Sequence, residues 1–576
     1  SAPVASSPTS TPSSPPTTYG GGLATECPAA SQQSVAFTNN ILTNNSASMM
    51  ASNGNGGFAY IKAASNATLT MAHNHDVSSN KARNGGVLYL EVPNLLVVNM
   101  TDNHFKSNQA DEGGVLTMIV TNDGEANVDV SDCIFEANQG VNMAGGLSLA
   151  GKVGGTLFLS LHNVTAWDNA AGKGGLVCMY ADAMNQTLLV DASNFTKNDG
   201  NSSGGVFFMY VNNDGAQTVH LTSSSFTSNI AYLGGVLHVQ RYSGEPNSAT
   251  SITLFDNLLD LQNSGANGGI LMLEAGAGSN QVLFESNVAN GNRGDFGGIC
   301  HVTFSNFAEQ THNISFHRNQ FYNNSANNGG IFYATTFPMI TYTIPIHMIT
   351  ADSQLEWIGN NCASNTAQIG GVVVAFAEYV PHVISEDNVY VDNSATQFGA
   401  VMNVSFVEGS NGAAEFRGDQ FITNSGSASS VLLVENAVSL FLDQIVFQPH
   451  QIPLLNVQGA SAGNVNISSL IVHQYDPTVV IGNVSTDSMT FNSLDLERAD
   501  HLPVFPARLP LFGYATTTPL LPFTSTVLRN LNVTTTGQCY SQVHDRNGAE
   551  YTILITGVPC PSIMDRVYAN TTGVVE

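Results

Sequence analysis

A Gly-Gly pair followed by an apolar run returns along this chain about every thirty residues, and that period is the strongest constraint on its fold. Examples are Gly85-Gly86-Val87-Leu88, Gly113-Gly114-Val115-Leu116, Gly204-Gly205-Val206-Phe207, Gly234-Gly235-Val236-Leu237 and Gly268-Gly269-Ile270-Leu271. The second position of each pair falls at 57, 86, 114, 146, 175, 205, 235, 269, 298, 330 and 371, and a Gly-Ala variant follows at 399–400. A second element precedes the pair: an aromatic, two variable residues, then Asn. It reads Phe105 to Asn108, Phe135 to Asn138, Phe195 to Asn198, Phe226 to Asn229, Phe321 to Asn324 and Phe421 to Asn424. Five positions before the aromatic stands another apolar residue, among them Val130, Val190, Leu221, Phe316 and Phe416.

Each period holds short strand-like segments separated by turns, with no sustained helical periodicity. About thirty residues suit one coil of three short strands with their corners. Adjacent coils would then pair in parallel about 4.8 Å apart. The expectation is an all-β, right-handed parallel β-helix of about a dozen or more coils. The Gly pair would serve a tight corner and close coil contact, and the Phe positions would stack inside. The recurrent Asn would take a left-handed turn conformation and bond its counterpart in the next coil. A leucine-rich repeat fits less well, because its period is about 20–29 residues and its Leu pattern is absent.

The paired Gly-Gly-apolar and Phe-x-x-Asn motifs resemble the repeats of chlamydial polymorphic outer membrane proteins, and similar repeats occur in large secreted algal and protist proteins. The resemblance covers about residues 33–430. It implies a right-handed β-helix at a cell surface, used for adhesion or assembly. The chain departs from the bacterial members in having no evident C-terminal translocator barrel.

Four segments follow from composition and repeat. Residues 1–32 form a Ser/Thr/Pro-rich arm: fifteen of the first 18 residues are Ser, Thr or Pro, a composition that favours an extended strand and offers O-glycan sites. Residues 33–430 are the regular coils, and 431–498 continue them less regularly. Residues 499–576 join a Pro-rich connection to a cap or docking segment, in which Cys539 and Cys560 are the expected disulfide. The first residue, Ser1, suggests a processed secretory product.

Charge narrows the function. Only 10% of residues are charged, against roughly a quarter in ordinary soluble domains, and the formal net charge is −27. That balance disfavours nucleic acid, and no apolar run reaches the length of a membrane span. Solubility would then come from N-glycans. Sequons stand at Asn44, Asn66, Asn99, Asn163, Asn185, Asn194, Asn201, Asn313, Asn323, Asn403, Asn466, Asn483, Asn532 and Asn570. Cys133, Cys178 and Cys300 fall in strand-like segments, expected buried or locally paired; Cys27 and Cys362 have no assignment.

No catalytic, cofactor or metal residues are expected. The carboxylates are scattered through turns, and the signatures of β-helical polysaccharide enzymes are absent. The run His73-Asn74-His75-Asp76 reads as a solvated turn, and the Arg-Gly-Asp triplets at 293–295 and 417–419 read as corners. The function expected is a secreted, non-enzymatic structural glycoprotein, a subunit of a fibril, appendage or wall layer joining copies of itself head-to-tail. The alternatives are a monomeric adhesin or glycan-binding β-helix, and a polysaccharide lyase or hydrolase.

Overall fold

The computed structural model describes residues 33–47 and 54–475. Breaks fall at 153, 183, 243–247, 261, 305–309, 337–352, 377–380, 407–409, 428–429, 449–451 and 459–463. Strand 23–26 and the strand segments between 482 and 556 are described by backbone alone. Every regular element among the described residues is a β-strand, and the strands stack as a parallel β-solenoid of about 12 turns, a parallel β-helix. The chain falls into two compact units: residues 1–295 with 299–310, and residues 296–298 with 311–576. The repeat carries no signal of that division.

In the first unit each coil contributes one strand to each of three faces. The first face stacks Leu116–Val120, Leu147–Gly151, Val177–Ala181, Phe207–Val211 and Leu237–Arg241 in parallel register. The second stacks Glu125–Ser131, Thr156–His162, Asn185–Asp191 and Gln217–Thr222. The third stacks the three-residue strands Ile134–Glu136, Thr165–Trp167, Asn194–Thr196 and Ser225–Thr227. The second unit repeats this plan with, for example, Val373–Phe376, His382–Glu386 and Val389–Val391. Its coil strands pair in parallel through Leu470–Tyr475 and on to Leu494–Arg498.

Alternation sets the core. On the second face Val128, Val130, Leu159, Leu161, Leu188, Val190 and Leu221 point inward and are fully buried, while their neighbours face out. On the third face the central residue points inward and makes the expected aromatic stack: Phe105 on Phe135 at 5.0 Å, Phe195 on Phe226 at 5.1 Å, and Tyr390 on Phe421 at 5.0 Å. Ala166 stands in register between Phe135 and Phe195 and interrupts it.

The Gly pair has two different tasks. Gly204 adopts φ +59°, where a side chain is strained, whereas a Cβ on Gly205 would run into the carbonyl oxygen of Gly235 in the next coil. One frame differs from the sequence reading: Gly145, not Gly146, contacts Gly175 of the next coil, so Ala144 (φ 47°) fills the left-handed position and Gly146 an apolar one.

The recurrent Asn forms a continuous buried ladder within each unit. The Asn198 backbone N–H donates to Asn229 Oδ1 (3.0 Å), and its Nδ2 donates to that oxygen (3.1 Å) and to the Ala166 carbonyl (3.0 Å). Its own Oδ1 accepts the same pair of bonds from Asn169. The left-handed conformation belongs to the residue before each Asn, as at Ser107, Ala137, Lys197 and Ser228, and not to the Asn itself. Placing the exposed neighbour in that conformation turns the Asn side chain inward. A second ladder, just before the third face, runs through Asn74 and Asn103, through Ser193, Ser224, Asn257 and Asn287, and in the second unit through Asn319, Asn360, Asn388 and Asp419.

Candidate functional site

The chemistry-bearing side chains are spread over corners and outer rows. Among the described residues no three of His, Cys, Asp and Glu converge as metal ligands. A shallow, open cavity of about 240 Å³ crosses three coils at Gln139, Val141, Ala170, Asp199 and Asn201. Its one acid, Asp199, accepts the backbone N–H of Asn201 at 2.7 Å.

The sequons divide by position. Asn44, Asn163, Asn185, Asn194, Asn201 and Asn323 are exposed, and Asn66, Asn99, Asn313 and Asn466 are half-buried. Asn163 and Asn201 sit at corners in left-handed conformation, as expected, whereas Asn194 opens a third-face strand and faces out beside Phe195. Asn403 corrects the expectation. Its side chain is 7% exposed within strand Met402–Ser405, with Val374 and Leu433 as register neighbours, and a glycan has no room there in the folded chain. Asn483 and Asn532 lie in strands whose side chains are not described, and Asn570 lies outside the described residues, as does Cys560; the Cys539 side chain is not described.

The two Arg-Gly-Asp triplets part company. Arg293 and Asp295 are exposed on strand Arg293–Phe296. Asp419 is fully buried as a rung of the second ladder: its Oδ1 accepts the Asn388 N–H and Nδ2, both at 2.9 Å, while Oδ2 has no hydrogen-bond partner. Burial raises its carboxyl to about 7 against the opposing bonds from Asn388. This triplet is structural and offers no carboxylate to a receptor. Of the run at 73–76, Asn74 is likewise a buried rung, while His75 and Asp76 are exposed. His73 meets Asp102 of the next coil at 2.9 Å and holds that carboxyl below its ordinary value.

Such cross-coil pairs recur. His162 meets Asp191 at 3.0 Å, and Glu136 binds both His104 (3.0 Å) and Lys106 (2.8 Å). The partners stand about one period apart, so only the coil register brings them together. These pairs, exposed or half-buried at the surface, contribute little to stability.

Apart from Cys178, expected buried, a row on the first face escapes sequence reading. Thr117, Ser148, Cys178, Phe208, His238 and Met272 are register neighbours that alternation turns outward, yet each is at most 4% exposed. The segment entering each Gly pair folds over them. Thr117 Oγ1 donates to the Glu112 carbonyl, Met143 and Ala144 pack on Cys178 and Phe208, and the Lys173 ammonium lies 5.1 Å above the Phe208 ring.

Cys133, Cys178, Cys300 and Cys362 are buried free thiols. Burial pushes Cys133 up to about 11 and Cys178 to about 12, and raises Cys300 and Cys362 further. All four should therefore resist iodoacetamide at pH 8 in the folded protein and react once it is denatured, as peptide mass spectrometry would read. Labelling of any of them in the native state would contradict their burial.

No family model, curated protein or solved structure matches the chain.

Proposed function

We propose that the chain is a non-enzymatic structural glycoprotein of the cell exterior, a subunit that joins copies of itself head-to-tail into a fibril, appendage or wall layer. The observation that carries this reading is the direction built into the asparagine ladders. From rung to rung each Asn donates to the following coil and accepts from the preceding one, its remaining amide bond going back to a preceding carbonyl, so the ladder that starts at Asn45 starts on an acceptor. Copies stacked end to end would join by the same one-directional, parallel strand pairing that joins coil to coil. Such a heterologous contact extends as a filament unless it closes.

Two further observations support the reading. Exposed sequons at Asn163, Asn194 and Asn201 lie on outward positions of neighbouring coils, so glycans there leave the stacking direction free. The motif likeness to chlamydial surface repeats points to the same location. N-glycans, and O-glycans on the arm, would supply the solubility that so few charges do not.

The Ser/Thr/Pro arm, of which residues 1–22 and 27–32 lie outside the described residues, is the proposed tie to the next copy. Deleting residues 1–30 should abolish fibres in pelleting assays while the far-UV circular dichroism stays that of a β-solenoid. Unchanged fibres would reject the arm as the tie.

A further inference from the structure

We propose that Arg241 binds a small monovalent anion such as chloride, buried inside the N-terminal unit at the corner between the first and second faces. Arg241 ends strand Leu237–Arg241 and is only 3% exposed. The preceding coils fill its register position with Gly151, Ala181 and Val211. A guanidinium therefore stands where those coils place small or apolar interior residues.

Its hydrogen bonds all leave from Nη2, to the carbonyls of Gly276 and Ala277 and to Asn280 Oδ1 at 2.9 Å. Nε and Nη1, which carry three of the five N–H donors of a guanidinium, are buried without a hydrogen-bond partner. Among the described residues no acid offsets this burial, which alone pushes the group down to about 10. The neighbouring column is polar but neutral. Gln186, Gln217, Thr250 and Asn280 stand in register near the start of the second face, each at most 2% exposed. Gln217 Nε2 reaches the Gln240 carbonyl (3.4 Å) and Asn280 takes the Nη2 bond, so the column runs beside the end of the Arg241 strand. Thr250, between those two, keeps a hydroxyl with no hydrogen-bond partner.

A buried charge costs far more unpaired than a buried neutral group does. Water accepts such N–H groups but leaves the charge uncompensated. One monovalent anion both accepts them and neutralises the guanidinium, whereas a divalent anion would leave a net charge behind. The proposal is independent of the assembly role.

The test is chemical denaturation of the full chain at constant ionic strength with chloride exchanged for gluconate, followed by hydrogen exchange in the coils around Arg241. Anomalous diffraction from crystals grown in bromide accompanies it. Above the dissociation constant, tenfold more chloride should raise the folded-to-unfolded ratio of these coils up to tenfold. Bromide should give one buried peak beside Arg241 Nε and Nη1. Arg241→Met keeps a long side chain without the charge, and it should fold, by circular dichroism, and lose both signals. Stability indifferent to chloride would overturn the proposal, as would a chloride response unchanged in Arg241→Met. The absence of a bromide peak at Arg241 in the wild type would overturn it even if the variant failed to fold. Glu245, four positions on in the sequence, is the rival counter-ion. A chloride response that appeared only in Glu245→Gln would assign the charge to that carboxylate and reject the anion.

Discussion

Asp419→Asn is expected to stabilise the second unit by about 4 kcal/mol above neutral pH and to leave its stability unchanged near pH 4. Every neighbouring rung of this ladder is an Asn whose Oδ1 accepts two bonds and whose Nδ2 gives one to a carbonyl on the preceding coil, as Asn388 does to Trp357 at 2.6 Å. Asp419 reproduces the acceptor but, when ionised, turns a second bare oxygen toward the place where an amide would donate. Its carboxyl therefore titrates near 7 when folded, against an ordinary value of 3.8. The folded state holds a proton that the unfolded chain releases, so the stability this residue contributes is present below about pH 4 and is lost as pH rises through about 7. Asparagine cannot ionise and supplies the missing donor. Chemical denaturation of wild type and variant at pH 4 and pH 8 reads the difference directly. Equal stabilities at pH 8 would show that Asp419 is not strained there.

The opposite change in the first ladder should be costly. Asn198→Ala removes two acceptor bonds from Asn169 and the two bonds that Nδ2 donates, to Asn229 Oδ1 and the Ala166 carbonyl, at a position with no solvent exposure. The Asn169 N–H would be left buried and unpaired, while its Nδ2 keeps the Phe135 and Trp167 carbonyls. The orphaned N–H costs roughly 1–3 kcal/mol and each of the other three lost bonds about 1 kcal/mol, so a loss of about 4–5 kcal/mol is expected after local relaxation. A solenoid couples mainly nearest neighbours, so hydrogen exchange should accelerate first in the coils of Asn169, Asn198 and Asn229. Asn198→Asp is the informative companion. It should be mild at pH 4, where the acid can donate, and severe at pH 8.

The two predictions also show which physics was legible in the sequence. Gly204-Gly205 and the spacing from Phe195 to Asn198 announce a coil, because both solve problems that return at every turn. The second ladder is hidden: Cys133, Ser193, Ser224 and Asp419 take turns with Asn where any small polar group can bond the next coil, so no single letter repeats. Asn103, for instance, reaches the Cys133 sulfur. The shifted frame at Ala144-Gly145 is invisible because Gly146 supplies a second, misleading pair. Asn403 reads as an ordinary sequon, because nothing local reveals that an outward strand position is roofed over. The meeting of Arg241 with Asn280, 39 positions apart, depends on the coil register. The candidate site was therefore the least legible part, since it depends on register and cover more than on repetition.

The central claim is end-to-end assembly, and electron microscopy of the native, glycosylated protein at rising concentration tests it most directly. The account predicts unbranched filaments with an axial repeat of one subunit and glycan density at exposed Asn163, Asn194 and Asn201, but none at buried Asn403. Dispersed single particles that stay monomeric at high concentration would contradict it and favour a monomeric adhesin.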